Sequence, residues 1–215
     1  MAGLLDSEVL ASIPEAVTYL SLAANVALGG LGAYWHHRKS REHYKATHDS
    51  LTGLLNVQGL EELLKANQPP QALLYIDATN LKGVNDKLGH SAGNRALIGT
   101  TGIINGILRE DDFAARIGGD EFLVLLNQER RQKEDGQQTL IEPQDLLEVV
   151  TSRVNEGVGS FLEQNLDLRQ AGLNIAVGGV VSRPGMSINE LMDAAEINMY
   201  AVKELQHQVS GQYRP

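Results

Sequence analysis

The chain has 215 residues, which is enough for one sizeable domain and a shorter appended segment. It contains no cysteine, so disulfides and zinc or iron–sulfur sites built on cysteine are excluded. The formal net charge is -9. Residues 1–45 carry four Lys or Arg against four Asp or Glu, so the acidic excess lies in residues 46–215. An acidic domain of this kind argues against nucleic acid as a partner.

The first predicted element is an N-terminal helix over residues 16–35, which contain no charged side chain. A helix of this length measures about 30 Å, the thickness of a bilayer core. The aromatic pair Tyr34-Trp35 and a basic run at residues 36–41 lie at its end, whereas the residues before it carry only acidic side chains. By the positive-inside rule, this predicts a single span of the inner membrane as an anchor, with the following domain in the cytoplasm.

The same helix has a second interpretation, because Ser21, Asn25, Gly29 and Ala33 recur every four residues and form one face of small or polar side chains. Such a face allows two helices to pack closely in a membrane. It serves equally well in a soluble helix that dimerises or docks on a partner, and in that case the whole protein is cytoplasmic. We therefore divide the chain into an N-terminal segment, residues 1–45, and one domain, residues 46–215.

The domain opens with turn-forming and capping residues at 48–56, before an amphipathic helix predicted over residues 57–64. Residues 71–77 then have the apolar composition of a buried strand, which ends in Asp77. A carboxylate at a strand end is suited to bind a metal ion. It is also a common cap of the turn that follows, and the residues alone leave both roles open.

A second helix is predicted from Leu81 onward, capped by Thr79 and Asn80. The free backbone N–H groups at such a helix start form a cradle for phosphate, and Lys82 adds a positive charge beside it. A third helix is predicted over residues 91–108, with apolar residues on one face.

A β-hairpin is predicted over residues 113–126, because apolar residues alternate on both sides of Gly118-Gly119. Adjacent glycines permit a tight turn with positive φ. Asp120 and Glu121 follow the turn, and their carboxylates at the tip of two strands are placed to bind a hard cation. On these residues alone, an ordinary hairpin with two solubilising acids is the favoured interpretation.

Beyond the hairpin, residues 127–143 are polar and predict an exposed loop, and residues 145–163 predict an amphipathic helix. Residues 173–177 alternate like a strand, and residues 187–190 form a capping box for a last helix that carries Lys203 near its end. The element order is therefore α-β-α-α-β-β-α-β-α. It predicts an α+β fold, an α/β sandwich in which helices flank a mostly antiparallel sheet.

Four motifs in this order resemble the GGDEF family, the diguanylate cyclases, over residues 46–208. They are Asp49-x-Leu51-Thr52-Gly53-Leu54-x-Asn56, the strand–helix segment from Asp77 to Asn94, the signature Gly118-Gly119-Asp120-Glu121-Phe122 and the closing Tyr200-Ala201-Val202-Lys203. The resemblance implies a palm-like sheet related to nucleotide cyclases. It also implies that two such domains meet face to face in a homodimer and condense two GTP into cyclic di-GMP with release of pyrophosphate.

The resemblance further implies roles for individual residues at the metal. Asp77 and Asp120 would bind Mg²⁺, two ions per active site, with help from the carbonyl of Ala78. Asp120 and Glu121 would be the catalytic acidic residues. Other positions would bind the substrate nucleotide: Gly118 and Gly119 beside the turn, Asn80, Leu81 and Lys203 at the β- and γ-phosphates, and Asn85 and Asn94 at the guanine.

The chain departs from the family's usual pattern in three places. Asn94 replaces an aspartate, and because an amide offers one donor and one acceptor, it suits adenine as well as guanine, so ATP becomes a second candidate substrate. Gln206-His207 replaces Gly-Arg, which removes a phosphate-binding arginine. Thr79 and Leu81 replace an aspartate and a phenylalanine, and Thr79 thereby removes a charge near the metals.

One regulatory feature of the family is retained. Arg109 and Asp112 lie five residues before the signature, at the offset of the family's product-inhibition site. The resemblance therefore implies that cyclic di-GMP binds there as an inhibitor. The departures also support an alternative, a degenerate GGDEF module that senses nucleotide or cyclic di-GMP without turnover.

Overall fold

The structure, a computed structural model, describes residues 41–127, 130–132 and 138–210. The chain divides into two compact units, residues 1–46 and 47–215. Residues 41–46 of the first unit are helical, and the helix predicted over residues 16–35 lies outside the described residues. The second unit contains the sheet, the helices that flank it and every predicted site residue.

The predicted inner-membrane location is contradicted by the helices of these described ranges. None of them is both long enough and apolar enough to cross a bilayer. The two longest, Pro143–Gln164 and Ile188–Ser210, are amphipathic and carry charged side chains among their exposed residues. We therefore do not retain the assignment to the inner membrane; the segment on which it rested, residues 16–35, is not among those described.

A four-stranded antiparallel sheet forms the centre of the domain. In spatial order its strands are β2 (Phe113–Arg116), β3 (Glu121–Leu126), β1 (Ala72–Asp77) and β6 (Ala176–Val181). Every residue of β1 is buried, because β1 is a central strand and helices cover both faces of the sheet. The register places Asp77 directly opposite Glu121, so the end of β1 meets the hairpin tip.

Helices cover the two faces of the sheet and confirm the predicted α+β sandwich. The described helices of this domain are α1 (Val57–Ala66), α2 (Leu81–Leu88), α3 (His90–Ile107), α4 (Pro143–Gln164), α5 (Leu166–Ala171) and α6 (Ile188–Ser210). Leu74, Ile76 and Phe122 pack with α3 and α4 on one face, whereas Leu73 and Tyr75 pack with α1 and α6 on the other. A third apolar cluster joins α2 and α3 to α5.

The structure differs from the predicted element order in the second half of the chain. Residues 127–143, predicted as a loop, contain two short paired strands, β4 (Arg130–Gln132) and β5 (Gln138–Leu140). The helix α5 is absent from the predicted order. It is only six residues long, too short to show a helical period in the sequence.

The last strand, β6, is also displaced from its predicted position at residues 173–177. It runs through Gly178 and Gly179, and because glycine is a poor strand former, the sequence pattern does not predict a strand there. The glycines are needed for packing, because a Cβ on residue 178 would lie 1.9 Å from the backbone N of Met199 in α6. α6 can therefore approach the sheet this closely only over a glycine.

Candidate active site

The end of β1 and the hairpin turn are joined by a backbone hydrogen bond. The N–H of Ala78 donates to the carbonyl of Asp120 at 2.8 Å, directly beyond the paired residues Asp77 and Glu121. Asp77 is buried and Asp120 is half-buried. The fold thus brings together the two segments in which metal ligands are predicted.

Lys203 of α6 is the counter-ion of Asp77. Its ammonium donates to both carboxylate oxygens at 2.9 Å each, and the hydroxyl of Thr79 donates to Oδ1 at 2.7 Å. The ion pair is shielded from water, since the Asp77 side chain is 5% exposed and that of Lys203 is 26% exposed. Thr79 therefore supplies a hydrogen bond to Asp77 at the position where the resemblance leads us to expect an acidic residue.

The surroundings of Asp120 disfavour the ionised form of its carboxyl group. Burial raises its pKa above the ordinary value of an aspartate, and the negative charges of Asp77 and Glu121 raise it further, while Lys203 acts in the opposite sense. Carboxylates that repel one another in this way favour a cation between them. The oxygen donors of Asp77, Asp120 and the Ala78 carbonyl are the type that Mg²⁺ prefers.

These donors would nevertheless form an incomplete metal site without further oxygen ligands. Within the part of the chain that the structure describes, no three acidic or histidine side chains converge closely enough to hold a metal ion. Oε1 of Glu121 accepts a hydrogen bond from the phenol of Tyr75 at 2.9 Å. Backbone carbonyls, water and ligand oxygens would supply the remaining coordination, as is common for Mg²⁺.

Tyr75 is a site residue that the sequence prediction missed. Burial raises its pKa well above the ordinary value of a tyrosine, and the hydrogen bond and charge of Glu121 raise it further. The phenol therefore remains protonated, and a hydrogen-bond donor, across the neutral pH range. In the sequence Tyr75 is one apolar position of β1; only the register, which makes Glu121 its diagonal neighbour, reveals the contact.

Arg116 holds the hairpin turn and is the second missed residue. Its guanidinium donates to Oδ1 of Asp49 at 3.0 Å and to the carbonyl of Gly119 at 2.6 Å. Asp49 also accepts from the N–H and the hydroxyl of Thr52. Burial acts to raise the pKa of Asp49, but the hydrogen bonds from Thr52 and Arg116 outweigh it and lower that pKa. The first motif of the domain thus orders the signature turn.

The signature glycines do not use the positive φ that glycine permits. Neither Gly118 nor Gly119 has a backbone in the left-handed region. A Cβ on Gly118 would lie 2.3 Å from Oε2 of Glu121, so this glycine leaves room for the glutamate. A Cβ on Gly119 would meet no atom within 4 Å, which shows open space beside the turn.

The start of α2 differs from its prediction in one respect. Asn80 precedes Leu81 as the N-cap residue, but it has a φ of 66° and its side chain makes no capping hydrogen bond. Its Nδ2 donates instead to the carbonyls of Ala171 and Gly172. The first N–H groups of α2 are therefore left without a side-chain cap.

Asn85 and Asn94 lie on adjacent helices, α2 and α3. Gly93 lets the side chain of Asn85 reach α3, because a Cβ on residue 93 would lie 2.0 Å from its Oδ1. That Oδ1 is buried and has no hydrogen-bond partner among the described residues. Asn94, the next residue, is exposed. The two predicted base-binding amides are thus brought to the same helix pair.

Asp112 has a structural role next to the hairpin. Its Oδ2 accepts from the N–H of Arg109 at 3.2 Å, and its Oδ1 accepts from the N–H of Asn127 at 3.0 Å. The carboxylate therefore ties the start of β2 to the end of β3. Arg109 and Asp112 are both half-buried and engaged in further interactions.

The comparison with protein families agrees with this geometry. A family model described as the GGDEF domain of diguanylate cyclases matches residues 46–208. The chain belongs to the GGDEF family. The signature of this GGDEF domain is the turn from Gly118 to Phe122, in which Phe122 is fully buried and anchors β3 in the core.

Relatives of the GGDEF domain support the same assignment over part of their length. Diguanylate cyclase TpbB of Pseudomonas aeruginosa is 46% identical over 90 residues, which are 39% of this chain and 21% of that protein. The E. coli protein named probable diguanylate cyclase DgcC is 28% identical over 174 residues, 77% of this chain and 43% of that protein. The chain thus spans less than half the length of either relative.

Solved structures show the same GGDEF fold. The coiled coil and GGDEF domain of DgcB from Caulobacter crescentus, in complex with c-di-GMP, superposes with a TM-score of 0.63 at 22% identity and covers 86% of this chain and 95% of that one. The GGDEF domain of TpbB from Pseudomonas aeruginosa has a TM-score of 0.54 at 28% identity, with coverage of 74% and 89%. The palm-like antiparallel sheet is therefore the family's fold.

Proposed function

We propose that this GGDEF domain is a diguanylate cyclase that acts as a homodimer. Two molecules of GTP would condense to cyclic di-GMP: each ribose 3′-hydroxyl attacks the α-phosphate of the other nucleotide, two phosphodiester bonds form, and two pyrophosphates leave. The observation that carries the proposal is the group of charges at the hairpin tip. Burial and the negative charges of Asp77 and Glu121 raise the pKa of Asp120 there, and Lys203, paired with Asp77, is the neighbouring cation.

Asp77, Asp120 and the carbonyl of Ala78 are the groups proposed to hold Mg²⁺. When bound, the metal would lower the pKa of the attacking hydroxyl and neutralise charge on the phosphates. Tyr75 would fix Glu121 through Oε1, leaving Oε2 over Gly118 as an acceptor on the side of the turn where Gly119 leaves space. Arg116 would keep that turn in place through the Gly119 carbonyl.

The triphosphate would lie between the start of α2 and the end of α6. The N–H groups at Asn80 and Leu81 are not capped by a side chain, and such groups at a helix start bind phosphate. Lys203 would contact the β- and γ-phosphates after leaving Asp77. The carboxylate of Asp77 would keep a counter-ion throughout, because the metal ion would replace the ammonium of Lys203 beside it.

Base recognition is proposed for Asn85 and Asn94. The buried Oδ1 of Asn85 has no partner among the described residues, which suits an acceptor awaiting a base donor. Asn94 has no ionised acceptor for guanine, so selectivity against ATP would be weakened and mixed cyclic dinucleotides would form. Product analysis with GTP, ATP and their mixture tests this; cyclic di-GMP alone, formed at the same rate in the mixture, contradicts it.

The test of the cyclase function is to incubate the purified protein with GTP and Mg²⁺ and to separate the products. We expect cyclic di-GMP and two equivalents of pyrophosphate, and no product when the metal is chelated. An Asp120→Ala variant should be inactive. Turnover that persists in this variant would contradict the metal assignment.

A second candidate function is favoured by the ion pair between Lys203 and Asp77 together with the changes at Asn94 and His207. A degenerate module would keep this pair closed and would bind cyclic di-GMP through Arg109 and Asp112 without making it. Calorimetry with cyclic di-GMP separates the two candidates. Binding without any turnover of GTP supports the degenerate module, and turnover that cyclic di-GMP inhibits supports the cyclase.

A further inference from the structure

A cavity of about 360 Å³ opens beside the start of α2. Its walls come from four places: the residues before α2, the end of α4, helix α5 with its connection to β6, and the end of α6. The lining residues are Thr79, Asn80, Leu162, Arg169, Gly172, Leu173, Asn174, Gln206 and His207. Although the chain has a net charge of -9, none of these lining residues is acidic, and Arg169 and His207 can carry positive charge.

Arg169 is the permanent cation of this wall. It belongs to α5, which the fully buried Leu168 anchors in the core, while Arg169 itself is exposed. Asp167, on the same helix, forms an ion pair with Arg95. Within the described ranges the guanidinium of Arg169 has no such acidic partner, and Arg169 lines the cavity.

Hydrogen bonds fix α5 against the start of α2. Nδ2 of Asn80 donates to the carbonyls of Ala171 and Gly172 at 3.3 and 3.2 Å, and the N–H of Asn174 donates to the carbonyl of Thr79 at 3.2 Å. Asn80 makes these bonds instead of capping α2. The same contacts therefore fix the end of α5, the helix that carries Arg169, and leave the first N–H groups of α2 without a side-chain cap.

His207 also lines the cavity, one helical turn after Lys203 on α6. A residue at this spacing projects from the same side of the helix as Lys203. It occupies the position at which the sequence lacks the arginine expected from the family resemblance. Arg169 of α5 lines the same cavity, so its cation can contact the same anion from a different helix.

We propose that Arg169 supplies the missing cation of a polyphosphate site in this cavity and binds the pyrophosphate end of the nucleotide. The inference rests on the proposed binding of a nucleoside triphosphate at the start of α2. The planar guanidinium can donate two parallel hydrogen bonds to phosphate oxygens, which a lysine cannot. Loss of Arg169 should therefore weaken binding of the phosphates and leave base recognition unchanged.

The test is calorimetric titration of the full chain with inorganic pyrophosphate in Mg²⁺ buffer. We expect Arg169→Gln to weaken pyrophosphate binding about tenfold, the loss of a charged hydrogen-bonded contact. Arg153→Gln removes an exposed arginine of α4 outside the cavity and should change binding less than about twofold. Both variants should melt like the wild type, because both side chains are exposed.

A rescue experiment distinguishes a shared anion site from a general charge effect. His207→Arg, added to Arg169→Gln, should restore most of the affinity for pyrophosphate. The inference is overturned if Arg169→Gln binds like the wild type, or if the wild type does not bind pyrophosphate. Cyclic di-GMP formation is measured in parallel: its absence, with pyrophosphate binding that still depends on Arg169, contradicts the proposed cyclase and leaves this inference standing.

Discussion

The ammonium of Lys203 lies 2.9 Å from both carboxylate oxygens of Asp77, across 126 residues of sequence. The pair joins α6 to the end of β1 and is largely buried. Each partner is also a proposed ligand of the substrate complex, one for metal and one for phosphate. The closed pair therefore stabilises the domain, and the proposed binding of metal and nucleotide would separate it.

Replacing Lys203 by methionine should destabilise the domain by about 2 kcal/mol, because the buried carboxylate of Asp77 loses its counter-ion. Mg²⁺ should raise the melting temperature of Lys203→Met more than that of the wild type, since the metal replaces the ammonium. The measurement is thermal unfolding with and without Mg²⁺. Lys65→Met is the matched control; its ion pair with Glu61 is exposed, so the change should stay below about 0.5 kcal/mol.

Replacing Asp120 by asparagine should stabilise the folded domain at neutral pH. The pKa of Asp120 is higher in the folded state than in the unfolded state. As the pH rises between these two pKa values, the unfolded chain loses its proton first, so the free energy of unfolding falls. Removing the charge relieves a cost of about 0.5 kcal/mol, a small value because the side chain is partly exposed. Urea unfolding at neutral pH should show a higher midpoint for Asp120→Asn and no change for the exposed Asp193→Asn.

The gain from Asp120→Asn should disappear at acid pH, below the ordinary pKa of an aspartate, where the wild-type carboxyl is protonated in both states. If Asp120→Asn unfolds at a lower urea concentration than the wild type at neutral pH, the charges of Asp77 and Glu121 do not destabilise the ionised form of Asp120.

Tyr75→Phe should reduce catalytic turnover more than substrate binding, because it releases Glu121 without touching the nucleotide. It should also cost about 1 kcal/mol of stability at neutral pH. The pKa of Tyr75 is raised by burial and by Glu121, so the wild type loses stability above about pH 10, where the unfolded tyrosine ionises first, and the gap to Tyr75→Phe narrows there. Steady-state kinetics and unfolding across pH measure both effects.

Tyr200→Phe is the control for Tyr75→Phe, since Tyr200 is 58% exposed on α6. It should leave kcat and stability unchanged. Equal falls of kcat in the two variants, or a rise of KM alone in Tyr75→Phe, would rule out the positioning role.

Gly178→Ala should destabilise the domain by about 3 kcal/mol or more, because the added Cβ would lie 1.9 Å from the backbone N of Met199 and 2.5 Å from the carbonyl oxygen of Ala195. Neither atom belongs to a flexible side chain, so α6 itself must move. Gly102→Ala in α3 is the matched control: a Cβ there meets no atom within 4 Å, and the change should stabilise by about 0.5 to 1 kcal/mol. Chemical unfolding of both variants decides the point.

The elements that determine the fold could largely be predicted from local pattern. Alternation around Gly118-Gly119 predicts the hairpin, and the burial of β1 follows from its continuous apolar run. The predicted position of β6 is wrong because the close approach of α6 requires a glycine at residue 178. Glycine is a poor strand former, so this tertiary requirement weakens the strand pattern in the sequence. Helix α5 is only six residues long, too short for a helical hydrophobic period to be recognised in the sequence.

The site is less accessible to sequence reasoning than the fold. Motif order places Asp77 and Asp120 in one site, but no spacing predicts that Lys203 closes on Asp77. Tyr75 and Arg116 act through a diagonal strand contact and a long reach to Asp49, both of which depend on register. The sequence predicts that Asn80 caps α2, whereas its left-handed backbone and its hydrogen bond to the α5–β6 connection depend on the folded chain.

The most direct test of the proposed cyclase is the rate of cyclic di-GMP formation from GTP and Mg²⁺, measured side by side for the wild type, Asp120→Asn and Asp193→Asn. We expect cyclic di-GMP from the wild type, a rate lower by at least about a hundredfold for Asp120→Asn, and an unchanged rate for Asp193→Asn. Wild-type activity retained in Asp120→Asn, or no cyclic di-GMP from a folded wild-type protein that binds GTP, would contradict it.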